Sequence, residues 1–437
     1  MWRYYIHLAW ISVKKTPVLS MLMVLAIGMG IAACLTTLTL FNVVSSNPLA
    51  HKNETTFAVQ LDTWASDEDY WGANGVPVQT TFQDAKAIYE AGVAEQVALS
   101  SRVGLTVEDS SYAKTPEVSD SRLVTRDFFR LFDIPFIYGS AWSTEADTNA
   151  ERQTVISESL NNRFFDGVNS VGQSLLLEGE SFTVAGVVSD SWLMTPSVYD
   201  LNMGAFKWPS HVYIPFFSVE QRAYSNWGNM EGWKSESNRS HQDFLASEVV
   251  WVQAWVELAT PEQKSEFEQY LVNYIQEQKQ RGRFQRPLKY LLNTPEQWLA
   301  INDVVTRDNY VLVYLSVGFM LVCLVNAIVL LLAKFLRKSP EAGLRRALGA
   351  TRMSLFVQHL VEASVIGVLG SMLGLVLAWL GLMGVRVLYS NYENVAVMGI
   401  YTFVGAVVFA VMATVISGAL PAWQVARTQP ARYLKAQ

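Results

Sequence analysis

The chain has 437 residues, 51% of them hydrophobic and only 16% charged, against about a quarter charged in an ordinary soluble protein. Its formal charge of −6 hides a division: residues 45–308 carry 20 basic and 36 acidic side chains, a net of −16, while the remainder carries 13 and 3, a net of +10. The basic side chains cluster beside apolar runs, which argues against a nucleic-acid partner, and Cys34 and Cys323 both lie inside such runs, so the 45–308 segment has to fold without disulfides.

In chain order, Trp2, Tyr5, Ile6, Ala9, Trp10 and Val13 recur at helical spacing, with Arg3, His7 and Lys14 mostly elsewhere on the wheel. This predicts an amphipathic helix over 1–16, lying aromatic side down on the cytoplasmic face of a membrane. Thr16-Pro17 predicts a break after it. A hydrocarbon core of about 30 Å needs about 20 apolar helical residues, and the uncharged run from Val18 to Val44 supplies a first span, 17–44. Ile31-Ala32-Ala33-Cys34 has the form of a lipoprotein cleavage box, but apolar residues continue past it, so Cys34 reads as part of an uncleaved helix.

Residues 45–308 alternate strand and helix signals, the pattern of an α+β domain. Thr56–Leu61 reads as a strand, Phe82–Glu90 as a helix, and 95–107 as containing a strand. Gln153–Ser157 is a strand followed by a helix through Phe165; Gly172–Leu177 and Ser181–Val188 form a hairpin about Glu178-Gly179-Glu180. His211–Pro215 is a short strand and Glu248–Leu258 a strong one. Thr260 caps a helix running to about Gln280; Leu288–Leu292 is a strand and Pro295–Val304 a helix. Residues 189–245, rich in Trp, Ser, Asn and Gly, show no period. Two subdomains are expected: a discontinuous one from 48–107 and 246–305, and an insertion, 108–245.

Three further apolar runs follow: Tyr310–Ala333, Leu355–Val385 and Val395–Leu420, giving spans at 309–334, 353–386 and 395–420. Arg3, Lys14 and Lys15 precede the first span. Lys334, Arg337, Lys338, Arg345, Arg346 and Arg352 separate the second from the third, and Arg427, Arg432 and Lys435 follow the fourth. The loop between the third and fourth has only Arg386, with Glu393. By the excess of basic residues on the cytoplasmic side, both termini, the 337–352 loop and the 421–437 tail are cytoplasmic, and 45–308 lies outside.

No catalytic constellation is visible. The five histidines, His7, His51, His211, His241 and His359, have no zinc-ligand spacing, and there is no HExxH or GxSxG. Asp67-Glu68-Asp69 reads as a solvated loop. Trp64, Trp71, Trp208, Trp227 and Trp233 could line an apolar face, though core packing suits most of them better. Without a GxxxxGK[ST] loop, any ATP is bound by another chain. Glu362 is the one acid in the third span; near its cytoplasmic end, it could reach interfacial water or a basic partner such as Arg352.

The loop Arg337–Arg352 reads RKSPEAGLRRALGATR. Pro340 opens a short helix over Glu341–Leu348 and Gly349 is placed to end it. A purely topological loop needs no such punctuation, and this one reads as a docking helix. Its core resembles the EIGIRRALGATR signature of MacB/FtsX-type ABC transporter permeases, with Ala342 and Leu344 in place of the two isoleucines. The likeness continues through Gln358, Glu362, Gly367, Gly370 and Gly374 to the closing Gly418, Pro421, Ala422, Ala426, Pro430 and Ala431. In the 45–308 segment it rests on Thr125-Arg126-Asp127-Phe128-Phe129, Ile134-Pro135, Val155-Ile156-Ser157, Phe164-Phe165, Val171-Gly172-Gln173, FTVAGVV and VYIP.

The resemblance implies a membrane protein with four transmembrane α-helices and, between the first two, a large α+β extracytoplasmic domain with a porter-like subdomain and an inserted second lobe. It implies a non-catalytic permease in the inner (plasma) membrane, paired with a second permease, itself or a related chain, above two copies of a separate ABC ATPase that holds ATP and Mg. Pro340, Glu341, Ala342, Gly343, Leu344, Arg345, Arg346, Ala347, Leu348 and Gly349 would couple to that ATPase. The outer domain would do work on a substrate or a periplasmic adaptor, or, in the alternative, activate a partner such as a cell-wall hydrolase. A third reading is a membrane-anchored sensor with no ATPase.

Overall fold

The computed structural model describes residues 2–427 except 71, 111–113, 193, 203, 208, 237–239 and 389–399. The chain divides into two compact units, Met1–Ser45 with Val305–Gln437, and Ser46–Val304. The first helix, α1 (Trp2–Lys15), breaks at Thr16, and α2 (Pro17–Val44) starts on the proline, whose missing N–H is no loss in a first turn.

The second unit opens with β1 (Thr56–Leu61), β2 (Thr80–Thr81) and α3 (Phe82–Glu90). Then come β3 (Gln96–Asp109), β4 (Glu117–Val124), α4 (Asp127–Leu131), β5 (Phe136–Gly139) and α5 (Thr144–Thr148). Next are β6 (Gln153–Ser157), α6 (Glu158–Phe165), β7 (Ser174–Leu177), β8 (Glu180–Val188), β9 (Val212–Pro215) and β10 (Ser225–Asn226). The unit closes with α7 (His241–Leu245), β11 (Val250–Glu257), α8 (Pro261–Gln280), β12 (Tyr290–Asn293) and α9 (Pro295–Ile301).

Among the described residues, all twelve strands join one sheet, ordered β12-β1-β11-β3-β4-β9-β6-β8-β5, with β2 on β11 and both β7 and β10 on β3. Among the described residues only β4–β9 and β6–β8 are parallel. Both faces are covered, which is why β1 is buried at every position. Phe57, Val59 and Leu61 pack on one face with Phe267, Leu271 and Ile275 of α8, whereas Ala58, Trp255, Phe128, Tyr213 and Trp298 fill the other. The β7–β8 hairpin turns at Glu178 and Gly179, both at positive φ, as a two-residue loop requires.

Strands β4 and β5 and the short α4, α5 and α7 have no counterpart in the sequence reading. In β4 the polar Ser119, Ser121 and Arg122 are buried, which hides the apolar alternation. Arg122 is neutralised by Asp200 at 2.9 Å and its guanidinium lies over the Tyr199 ring. Asp200 also pairs with Lys207, so the patternless segment is held partly by buried charge. Trp64 is buried, Asp67-Glu68-Asp69 is exposed, and Trp227 is partly exposed beside Gly104, where a Cβ would collide with its indole. Trp71 and Trp208 lie outside the described residues.

Burial pushes the Asp147 carboxyl up to about 6, against hydrogen bonds donated by the Trp142 indole, the Arg126 amide and the Tyr89 hydroxyl. A raised carboxyl pKa favours folding below the unfolded value near 3.8, and that contribution is lost as pH rises through about 6. Relative to Asp147→Asn, the wild-type domain is therefore expected to gain up to about 3 kcal/mol on acidification from pH 7 to pH 4. Thermal unfolding followed by tryptophan fluorescence measures this; a pH-independent difference refutes it.

The first unit resumes with α10 (Arg307–Arg337), α11 (Ser339–Ala347), α12 (Arg352–Leu388) and α13 (Ile400–Ala426). Among the described residues three helices are long and apolar enough to cross a membrane, Pro17–Val44, Arg307–Arg337 and Arg352–Val387. The fourth expected span, 395–420, begins outside the described residues. The apolar stretch that stands out in α13 is Val411–Val425, about 22 Å of helix. Moreover α13 runs through Pro421 to Ala426 rather than ending at Leu420. Glycines set the fit of α2 against α12: a Cβ on Gly370 would stand 2.7 Å from Ile27, and one on Gly374 2.8 Å from Ile31. Cys34 and Cys323 are free thiols within α2 and α10.

Candidate functional site

The loop singled out in the sequence is the helix α11. It is stopped by a paired cap: Gly349 takes φ 101°, its N–H donates to Arg346 O, and the Ala350 N–H donates to Arg345 O at 2.9 Å. A β-carbon at that φ would be strained. Thr351 then caps α12 through the Ser354 amide at 3.1 Å. The turn from one helix to the next is thus fixed by backbone geometry.

The ten predicted residues separate into two sides. Ala342 and Gly343 are buried against the bundle. Pro340, Glu341, Leu344, Ala347 and Leu348 face outward, with Leu344 56% and Leu348 80% exposed. Arg345 turns inward along the flank, donating to Gln358 Oε1 of α12 at 3.0 Å and to Glu341 at 2.7 Å. Gly349 forms the cap, and Arg346 is half-buried.

Behind α11 lies a polar node that the sequence reading located only in part. Glu362 of α12 is buried and pairs with Lys334 at 2.9 Å and Lys338 at 3.1 Å, both on the last turn of α10 or its cap. It accepts a hydrogen bond from Ser12 of α1, which itself accepts from Lys338. Lys334 also donates to Ser20 of α2 at 3.0 Å, and His359 sits 3.9 Å from the carboxylate. The suggested partner Arg352 is replaced by these lysines: Arg352 opens α12, ten residues or about 15 Å below Glu362. Lys334 and Lys338 are four apart and share a face of the helix, a signal that was present in the sequence. The helical spacing that puts Ala9 on the lipid side gives no sign of Ser12, whereas both residues are buried.

The node joins α1, α2, α10 and α12, and α11 begins one residue after Lys338. The buried Glu362 carboxylate holds its place because Lys334 and Lys338 pair with it; a lone carboxylate there would be costly. The arrangement offers no nucleophile or acid–base pair directed at a bound molecule. What it offers is a short, capped helix with an exposed apolar ridge on a braced base.

Two family models match the chain: the MacB-like periplasmic core domain over residues 20–274 and the FtsX-like permease C-terminal over 313–430. A curated relative, the uncharacterized ABC transporter permease YvrN of Bacillus subtilis (strain 168), is 31% identical over 106 residues, 24% of this chain. The chain spans about a quarter (25%) of that relative's length. Similar solved structures include the periplasmic region of MacB from Actinobacillus actinomycetemcomitans, 10% identical with a TM-score of 0.35, over 56% of this chain and 90% of that one. Another is the extracellular domain of the noncanonic ABC-type transporter YknZ from Gram-positive bacteria, 13% identical with a TM-score of 0.33, over 54% and 98%. A domain of a permease protein from Porphyromonas gingivalis is 15% identical with a TM-score of 0.35, over 60% and 98%. With the first family model covering more than half of its residues and the second most of the rest, the chain belongs to the MacB/FtsX type of ABC transporter permeases.

Proposed function

We propose that this chain is the membrane subunit of an ABC transporter in which α11 receives the closing movement of an ATPase on another chain. The helices would pass that movement to the 46–304 domain, which does work on the outer side of the inner membrane. The observation that carries this reading is the outward ridge of Leu344 and Leu348 on a helix held by its cap, by Ala342 and Gly343, and by the Glu362 node. An exposed, preordered apolar ridge favours a protein partner. The nearly uncharged helices suit levers better than a polar conduit. In this reading α13 is the fourth span, both termini are cytoplasmic, and ATP and Mg stay on the ATPase. Two ATPase copies serve two permeases, identical or related.

Purification of the full-length protein from its native membrane is expected to recover an ATP-binding subunit, about one per permease chain, by quantitative mass spectrometry. Recovery without such a subunit overturns the reading. Co-purification of a cell-wall hydrolase with the ATPase would turn the output from transport to signalling, with α11 in the same role.

A further inference from the structure

Within the 46–304 domain, a cavity of about 200 Å³ opens off the carboxyl ends of two parallel strands. Strand β6 ends at Ser157 and β8 at Val188, which pair in register. Strand β9 starts beside them, where the Ser157 N–H donates to His211 O at 2.9 Å. The carboxyl ends of parallel strands are where open α/β sheets hold their ligands. The polar lining is Ser157, Ser159, Ser189, Asp190, Ser210 and His211, and the aromatic lining is Trp192 and Tyr213. The volume equals that of about six waters, enough for one sugar ring.

The fold positions these groups and leaves two of them open. His211 Nδ1 lies 3.0 Å from Ser157 Oγ and 3.2 Å from Ser159 Oγ, while its Nε2 has no polar partner among the described residues. The imidazole is thus held by one nitrogen and offers the other. Ser159 donates to Asp190 Oδ1 at 3.5 Å, and Asp190 Oδ2 has no partner among the described residues. Trp192 stacks on Tyr199 at 5.7 Å and its indole N–H donates to Phe132 O at 3.2 Å, so it gives the cavity hydrocarbon surface alone.

We propose that this cavity binds a neutral sugar ring, with Asp190 and His211 on its hydroxyls and Trp192 against its C–H face. Among the described residues the lining holds no lysine or arginine, which disfavours a phosphate or carboxylate ligand. A fatty chain would leave the imidazole and the carboxylate without partners. An amine would gain only an exposed carboxylate, a weak contact. A sugar matches both kinds of surface. Each of its hydroxyls donates and accepts, as an imidazole beside a carboxylate requires, and its C–H face covers the indole. On the proposed mechanism, a glycan held there would anchor the domain that the helices move.

Saturation-transfer NMR on the full chain in nanodiscs tests it. The probes are the methyl glycosides of glucose, galactose, mannose and N-acetylglucosamine, with alanyl-alanine and inorganic phosphate as competitors. At least one glycoside is expected to take up saturation through its ring C–H protons. Asp190→Ala should weaken that glycoside about tenfold, the loss of a hydrogen bond to a charged group. Asp190 is exposed, so the variant should melt with the wild type. Asp69→Ala, at another exposed acid of the domain, should change binding by less than about twofold. Absence of saturation in all four glycosides overturns the site, and so does unchanged binding in Asp190→Ala. Displacement by the dipeptide would make it a site for a peptide terminus, and displacement by phosphate an anion site; either overturns the sugar assignment. No ATPase takes part in the readout, so failure here leaves the coupling role of α11 standing, and failure of that role leaves this result standing.

Discussion

Leu344→Asp with Leu348→Asp is expected to abolish stimulation of the partner ATPase in reconstituted membranes while leaving the permease folded. Both side chains point outward and contribute little to the chain's own packing. Burying each leucine against a partner is worth about 2 kcal/mol, so losing both weakens docking roughly a thousandfold, and a desolvated carboxylate adds to the loss. Size-exclusion behaviour and thermal stability should match the wild type. Retained stimulation in the double variant would refute α11 as the docking element. Reversing Arg345 and Arg346 is a less clean experiment, since Arg345 ties α11 to Gln358 and Glu341, so a loss there would mix docking with bracing.

The second large effect is expected at Glu362. Glu362→Gln leaves Lys334, whose side chain is 0% exposed, without a countercharge, and breaking a buried pair on one side costs about 3–5 kcal/mol. The detergent-solubilised protein should melt well below the wild type. Residues 2–15 should also become more sensitive to protease, because Ser12 then donates to a neutral amide oxygen, a weaker bond than one to a carboxylate. Lys334→Met in the same chain should recover a large part of the stability, since the uncompensated charge is then gone; the two substitutions would be strongly non-additive. A Glu362→Gln protein as stable as the wild type would show that the node carries no energetic weight.

Local chemistry was legible in the sequence and distant pairing was not. Pro340 and Gly349 announced α11 because a helix start and a left-handed stop each demand particular backbone freedom. Thr260, with the Gln263 amide on its hydroxyl, announced α8 in the same way. The division of α11 into a buried side and an outward ridge was not visible, because Ala342 and Leu344 are both apolar and only the neighbouring helices decide which one is covered. Glu362 was found, but its lysines sit 24 and 28 residues earlier on another helix, and Ser12 is 350 residues away. In the 46–304 domain the reading failed where polar residues are buried and paired, as along β4, and where short elements lack a full period.

The order of strands also bears on how the protein is made. Among the described residues, β1 pairs with β11 and β12, so Val59 meets Leu292 only after 233 further residues have been synthesised. At about 5–20 residues per second, that is a delay of about 10–50 s. Throughout it, the segment TFAVQL, uncharged and strand-forming, has no native neighbour, and it has the character of a segment that aggregates when left open. Biogenesis of this protein therefore has its weakest moment in the first strand of the domain.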